Sequence, residues 1–70
     1  MEWIRHSHIN QTGDGLPIYT FILESASELS TLPTTTQKNG FVECVGAGST
    51  AVTKDLNTSY LLTRNGWEEQ

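Results

Sequence analysis

The longest apolar run in the chain lies at residues 16–24, where β-branched, aromatic and aliphatic side chains follow one another with few polar interruptions. These residue types favour a β-strand. Its two faces, Ile18-Thr20-Ile22 and Tyr19-Phe21-Leu23, are both largely apolar. A strand that is apolar on both faces has to be covered on both, so we expect it to be covered by other parts of the protein or by neighbouring chains.

The C-terminal third has the pattern of a β-meander. Residues 49–54 and 59–64 are predicted strands, and residues 55–58 between them form a connection of hairpin length. A second turn signal follows at Asn65-Gly66, which is the sequence of a type I′ turn.

Trp67 comes directly after this turn. If the chain folds back there, the indole lies beside a side chain of the preceding strand, either Tyr60 or Leu62. We therefore predict a cross-strand pair that contains Trp67.

The N-terminal segment allows two alternatives. It begins with aromatic and β-branched positions and ends in a cluster of Asn, Gln, Thr, Gly and Asp, which favours a turn. Residues 3–9 therefore form either a first strand or part of an extended N-terminal arm over residues 1–12.

The middle of the chain predicts a short helix followed by a loop. Ser25 and Glu28 have the spacing of a capping box, so we expect a helix near residues 26–32. A polar loop follows and ends in a turn at Asn39-Gly40. Residues 41–45 are then a candidate for a short strand.

These elements predict one small domain over residues 1–70, because a chain this short cannot divide its apolar side chains between two cores. The predicted fold class is mainly β, a small α+β domain. We expect an antiparallel meander of about four to five short strands with one short helix near residues 26–32.

Composition adds that the domain needs an external source of stability. Only 36% of the 70 residues are apolar, and small domains usually gain stability from disulfides, a metal or assembly. Cys44 is the only cysteine, which excludes an internal disulfide. Together with His6 and His8 it gives too few ligands for a structural zinc site. Assembly with other protein chains is what remains.

Charge and hydropathy exclude other partners. The formal net charge is −4, and the four basic residues are too scattered to predict a surface for nucleic acid. The N-terminus lacks the pattern of a signal peptide, and no segment approaches the ~20 apolar residues of a membrane span. We expect a protein made in a cytoplasm, with neither nucleic acid nor membrane as its partner.

Titratable side chains do not assemble into a predicted site. His6 and His8 share a face if their segment is a strand, and Glu2 or Glu43 would have to complete a metal site. Because two histidines alone lack the coordination that zinc requires, we favour a structural or solvated role. Cys44 lies among apolar neighbours, which is typical of an inert core thiol.

Three other motifs have ordinary structural interpretations. Residues 46–50 resemble a phosphate loop, but no lysine follows and the next residues favour a strand, so we predict a turn or bulge. Asp14 and Asp55 lie in predicted turns, where carboxylates bind local amides. The many Ser and Thr residues have no matched His and Asp partners. We therefore predict no catalytic residue, no cofactor, no metal and no enzymatic activity.

Aromatic side chains are the best candidates for contacts with other chains. Their spacing is that of core residues, but two tryptophans near the termini are hard to bury completely in so small a chain. Trp and Tyr are enriched at the centres of interfaces. The predicted interface residues are Trp3, Ile4, Tyr19, Phe21, Tyr60 and Trp67.

The order of elements from residue 27 to residue 67 resembles a short module of structural proteins in tailed bacteriophages. The resemblance rests on a short helix ending in Leu32-Pro33, a loop, a strand that starts at Gly48-Ser49, an acidic turn at Asp55, a strand with Tyr60, and a terminal Gly66-Trp67. This chain differs in its longer stretch over residues 34–44, and its first 24 residues lie outside the match.

The resemblance implies a virion protein: an accessory component of the head, fibre or tail, assembled in the host cytoplasm. It would bind its own copies or larger virion proteins, with the N-terminal segment pairing to a sheet edge of a partner. The alternative is a small cytoplasmic phage or bacterial protein that binds and inhibits a host protein.

Overall fold

A computed structural model describes residues 1–9 and 15–70, and the side chains of all of these except residues 7–9. Within this part the protein has a 3₁₀ helix at Ala26–Thr31 and five strands, namely β1 (Glu2–Ile9), β2 (Pro17–Leu23), β3 (Thr50–Thr53), β4 (Ser59–Thr63) and β5 (Gly66–Glu69). The predicted fold class, mainly β, is confirmed. The N-terminal segment is a strand as far as Ile9, and residues 10–12 of the alternative arm lie outside the described residues.

The strands form one sheet in the spatial order β1-β2-β3-β4-β5. Three of the neighbouring pairs are antiparallel, but β2 and β3 are parallel. The prediction of a purely antiparallel meander is therefore wrong at its centre. Residues 24–49 explain the difference, because parallel neighbours need a crossover of a dozen or more residues and this segment supplies one. We call residues 24–49 the crossover.

The crossover packs on one side of the sheet, which we call the covered face. Buried side chains of the crossover and of the central strands form the core on this side: Tyr19, Phe21, Leu23, Leu32, Val45, Ala51, Tyr60 and Leu62. Each strand contributes alternate residues to this face, as the two-residue repeat of a strand requires.

Residues 41–45 do not form the predicted strand. Phe41 instead turns its ring into the covered face, where it makes edge-to-face contacts with Trp3, Tyr19 and Phe21 at centroid distances of 5.0, 5.3 and 5.6 Å. The backbone N–H of Val45 donates to the carbonyl of Thr34 at 3.1 Å, within the crossover itself. The apolar residues of this segment therefore close the core and do not extend the sheet.

The predicted helix is a 3₁₀ helix, and neither hydrogen bond of the predicted capping box forms. The Ser25 side chain makes no capping hydrogen bond to the helix and contacts the Ser27 hydroxyl at 2.7 Å. Glu28 does reach back, but it accepts from the backbone N–H of Glu24. The short helix lies beside β2, and its Leu29 packs against the core.

The turns predicted at Asn39-Gly40 and at residues 55–58 have the expected geometry, and residues 10–14, where the first turn is predicted, lie outside the described residues. Asn39 and Gly40 both have positive φ (49° and 85°), and Phe41 N–H donates to the Lys38 carbonyl at 2.8 Å. In the connection between β3 and β4, the Asp55 carboxylate accepts from the Thr53 hydroxyl and from the Asn57 backbone N–H. Asp55 is therefore a turn former, as predicted.

The turn between β4 and β5 differs from a type I′ turn. Thr63 pairs with Gly66, so the turn residues are Arg64 and Asn65, and only Gly66 there has positive φ (116°). A type I′ turn needs positive φ at both central residues. The hairpin itself is confirmed, and Trp67 pairs with Leu62, one of the two predicted neighbours.

Candidate functional site

The side of the sheet opposite the crossover, which we call the open face, is the candidate functional surface. Residues that alternate with those of the core lie on it, placed by the register and, for His6, by its contact with Thr20: Glu2, Ile4, His6, Ile18, Thr20, Ile22, Thr50, Val52, Ser59, Leu61, Thr63 and Glu68. None of these residues is buried, and no core residue belongs to this face.

Aliphatic side chains form much of the open face. Ile22 lies directly opposite Val52 on the parallel neighbour, and Leu61 is diagonal to Val52 on the next strand. Ile18, Ile22, Val52 and Leu61 are half-buried by their neighbours, whereas Ile4 on β1 is 55% exposed. A sheet face that only meets water is normally polar, so these residues distinguish the open face from an ordinary solvated surface.

A line of polar groups crosses the same face. His6 Nε2 lies 2.8 Å from Thr20 Oγ1, and Thr20 Oγ1 lies 3.4 Å from Thr50 Oγ1. These contacts link three side chains on three neighbouring strands. They give the surface defined hydrogen-bonding positions between its aliphatic patches.

Acidic side chains lie at the two outer strands of the open face. Glu2 is on β1, and Glu68 on β5 accepts from the Thr63 hydroxyl at 3.0 Å. Beyond the ends of β2 and β3, Lys54 and Glu24 form an exposed ion pair at 3.7 Å. The apolar centre is thus flanked by carboxylates, which favours a partner with basic side chains around an apolar strip.

A second polar cluster, formed by Arg5, Tyr19 and Glu43, lies at the margin of the covered face. Glu43 Oε2 accepts hydrogen bonds from the Tyr19 hydroxyl and from Arg5 Nε, the latter at 3.0 Å. Both bonds lower the pKa of the Glu43 carboxyl. The bond from Tyr19 has the larger effect and the bond from Arg5 the next largest. Burial and the bond to Glu43 raise the pKa of Tyr19.

This cluster fastens the crossover to β1 and β2. The sequence does not indicate it, because Arg5 and Glu43 are 38 residues apart and only the fold brings them together. All three groups hold one another in place, with the acceptor carboxylate shared between two donors. The arrangement is that of a structural clamp and lacks an acid and base poised to exchange a proton with a substrate.

The predicted interface residues divide between core and surface. Tyr19, Phe21 and Tyr60 are 2%, 0% and 6% exposed, so in this fold they are core residues with no surface left for a partner. This corrects their selection as interface residues. Burial follows from their positions on the covered face beneath the crossover.

The other three predicted interface residues remain accessible. Trp3 and Ile4 are 49% and 55% exposed on opposite sides of the edge strand β1. Trp67 is half-buried, and its Nε1–H donates to the Pro33 carbonyl at 3.0 Å. The sequence indicates Ile22 as part of an apolar strand face but does not single out Val52 and Leu61, which join it only through the register of β2, β3 and β4.

The glycine-rich segment at residues 46–50 is the predicted turn. The backbone N–H groups of Gly46, Gly48 and Ser49 all donate to protein carbonyls, at 2.7, 2.8 and 3.1 Å. The buried Ser49 hydroxyl donates to the Gly46 carbonyl and accepts from Tyr19 N–H. These amides are therefore engaged in holding β2, β3 and β4 together and do not converge on an anion.

The remaining sequence candidates do not gather into a site. Cys44 is half-buried with a free thiol, and His6 contacts Thr20. The His8 side chain and the whole of Asp14 lie outside the described residues. Among the side chains that the structure describes, His, Cys, Asp and Glu form no group of three that could hold a metal ion.

Comparison with known proteins adds no relative. No family model, curated protein or solved structure matches this chain. Over residues 1–9 and 15–70, no helix has the length and hydropathy needed to cross a membrane.

Proposed function

We propose that this protein is a non-enzymatic structural component of a tailed-phage virion, and that it docks on its own copies or on larger virion proteins. The observation that carries the proposal is the open face, where Ile4, Ile18, Ile22, Val52 and Leu61 remain accessible although they belong to the sheet itself. Contact with another chain would remove this apolar surface from water, at about 25 cal/mol per Å².

The size of the open face limits the strength of a single contact. Five strands spaced by ~4.8 Å and about five residues long give a surface of roughly 400 Å². A standard interface buries about 800 Å² per partner. One open face alone therefore makes a weak contact, and the protein needs either a second contact or many copies that act together.

A virion satisfies that requirement, because symmetric assemblies repeat the same weak contact many times and gain avidity. The small core supports the same function, since a protein that is bound in its native state gains stability from its partner. The resemblance of residues 27–67 to a module of phage structural proteins is what selects the virion as the setting.

Quantitative mass spectrometry of purified virions tests the proposal. Virions of the phage that encodes this chain should contain it in a constant ratio to the major capsid protein, through density-gradient banding and high-salt washing. If the chain is expressed in infected cells but stays in the soluble fraction, with only trace amounts in banded particles, the proposal is wrong.

A further inference from the structure

The two edges of the sheet differ in what they offer to a second chain. The strand order leaves β1 at one edge and β5 at the other. The last residues of β5 are Glu68 and Glu69, so two β5 strands laid side by side would bring carboxylates together. β1 instead carries Glu2, Trp3, Ile4, Arg5 and His6, a sequence that alternates acidic, aromatic, aliphatic and basic groups.

We infer that β1 pairs with β1 of a second copy across a two-fold axis at Ile4, which joins the two sheets into one continuous sheet. An axis perpendicular to the sheet pairs residues that share a face. Centred on Ile4, the register places Glu2 opposite His6 on the open face, and Trp3 opposite Arg5 on the covered face. Ile4 then meets its own copy in an apolar pair, the Glu2 carboxylate can accept a hydrogen bond from the His6 ring, and the Arg5 guanidinium can lie against the Trp3 ring.

Neighbouring registers are less favourable. An axis at Arg5 sets two guanidinium groups against each other, and like charges directly opposite are destabilising. An axis at Trp3 sets Glu2 against Ile4 and loses both complementary pairs. On the other side of β1, the regular pairing with β2 runs from Glu2 to Arg5 and is interrupted before Ile9, so the regular part of the strand surrounds Ile4 and not its C-terminal end.

The exposure of the strand agrees with this register. Trp3 and Ile4, which project to opposite faces, are 49% and 55% exposed, and the Arg5 side chain is 56% exposed although it contacts Glu43. In the dimer each of these side chains gains a cross-strand neighbour. The Glu43 contact holds Arg5 along the covered face, where the partner's Trp3 would lie.

Dimerisation also enlarges the surface available for docking. A two-fold axis perpendicular to the sheet leaves both open faces on the same side, so they join into one surface of roughly 800 Å². That area equals the share of one partner in a standard interface. The edge dimer rests on the proposed function in one respect, namely that the protein binds another protein chain. Here that chain is a second copy of the protein itself.

Disulfide trapping tests the register. In a Cys44→Ser background, Ile4→Cys brings two thiols to the two-fold axis, with Cα atoms about 5 Å apart, within the range of a disulfide. Glu2→Cys is the matched control on the same strand and face, and its two copies would be about 14 Å apart. Under mild oxidation we expect Ile4→Cys to form covalent dimers at least about tenfold faster than Glu2→Cys.

Equal rates for the two variants, or no covalent dimer from Ile4→Cys, would overturn the inference. Light scattering provides the second test, because Ile4→Lys sets two ammonium groups across the axis. The wild type should be a dimer at about 100 µM, Ile4→Lys a monomer, and Val42→Lys, at an exposed site in the crossover, a dimer.

The two proposals can fail separately. A chain that is monomeric in both assays, but present at constant ratio in virions, overturns the edge dimer and leaves the virion function standing. A dimer trapped through Ile4→Cys from a chain absent from virions supports the edge pairing and overturns the virion function.

Discussion

Ser49 shows at the scale of one residue how the covered face is held together. Its side chain is fully buried, yet the hydroxyl donates to the Gly46 carbonyl at 2.7 Å and accepts from Tyr19 N–H at 3.1 Å. Its backbone groups pair with those of Gly46 and Leu62. A buried polar group of this kind stabilises the fold only because each of its partners is satisfied.

Ser49→Ala removes both side-chain hydrogen bonds and leaves a buried amide and a buried carbonyl without that partner. We expect the free energy of unfolding to fall by about 1–3 kcal/mol. Urea denaturation followed by tryptophan fluorescence measures the change. Ser27→Ala, at an exposed site, should stay within about 0.5 kcal/mol of the wild type, and an equally small effect of Ser49→Ala would contradict this account of the turn.

Glu43 predicts a dependence of stability on pH. Its folded pKa is lowered from 4.5 by the hydrogen bonds from Tyr19 and Arg5. A lowered pKa contributes stability that is present above the unfolded value and is lost as the pH falls through the folded value. Below about pH 4.5, protonation of Glu43 therefore progressively removes the stability that its carboxylate contributes.

We therefore expect Glu43→Gln to lower the melting temperature at neutral pH, and the difference from the wild type to shrink as the pH falls below about 4.5. Differential scanning fluorimetry across this range measures it. Glu69→Gln, at an exposed position on the edge strand β5, is the control and should show no such trend. A difference that is constant with pH would contradict the assignment to the Glu43 carboxylate.

At the level of secondary-structure elements, local sequence signals predict the hairpins correctly, but pairing that depends on long-range packing is not predicted. The two C-terminal hairpins follow from turn residues and alternation that lie close together in the sequence, and both form. The parallel pairing of β2 with β3 depends on where the crossover returns, which no local pattern encodes. Residues 41–45 have strand propensity, but they form no ladder, and Phe41 instead makes three aromatic contacts in the core.

Phe41→Ala tests the contribution of the crossover to the core. The ring is half-buried and contacts the rings of Trp3, Tyr19 and Phe21. Its removal should lower the free energy of unfolding by about 2–3 kcal/mol, somewhat less than for a fully buried phenylalanine. Val42→Ala, at a neighbouring side chain that is 74% exposed, is the control and should change it by no more than about 0.5 kcal/mol. Equal effects would show that Phe41 does not close the core.

At the scale of the whole molecule, the sheet has one face closed by its own chain and one face left accessible. The apolar character of both sides of residues 16–24 already indicates that two coverings are required, and the crossover supplies one. The sequence could not indicate the extent of the open face, because Ile22, Val52 and Leu61 come from three strands with a parallel and an antiparallel step between them. The sequence does indicate that a tryptophan near a terminus, such as Trp3, is hard to bury, but it does not indicate that the crossover buries Tyr19.

Incorporation of two lysine variants into virions tests whether the protein works through contacts of its open face. Leu61→Lys places a charge at the centre of that face. Leu56→Lys places the same charge in the β3–β4 turn, where the leucine is 77% exposed. Both variants should remain folded, because neither replaces a buried side chain.

Phage carrying each variant would be purified, and the ratio of this chain to the major capsid protein measured by mass spectrometry. We predict that Leu56→Lys is incorporated like the wild type and that incorporation of Leu61→Lys falls at least about tenfold, which corresponds to a loss of about 1.4 kcal/mol in binding. Equal incorporation of the two variants would contradict it.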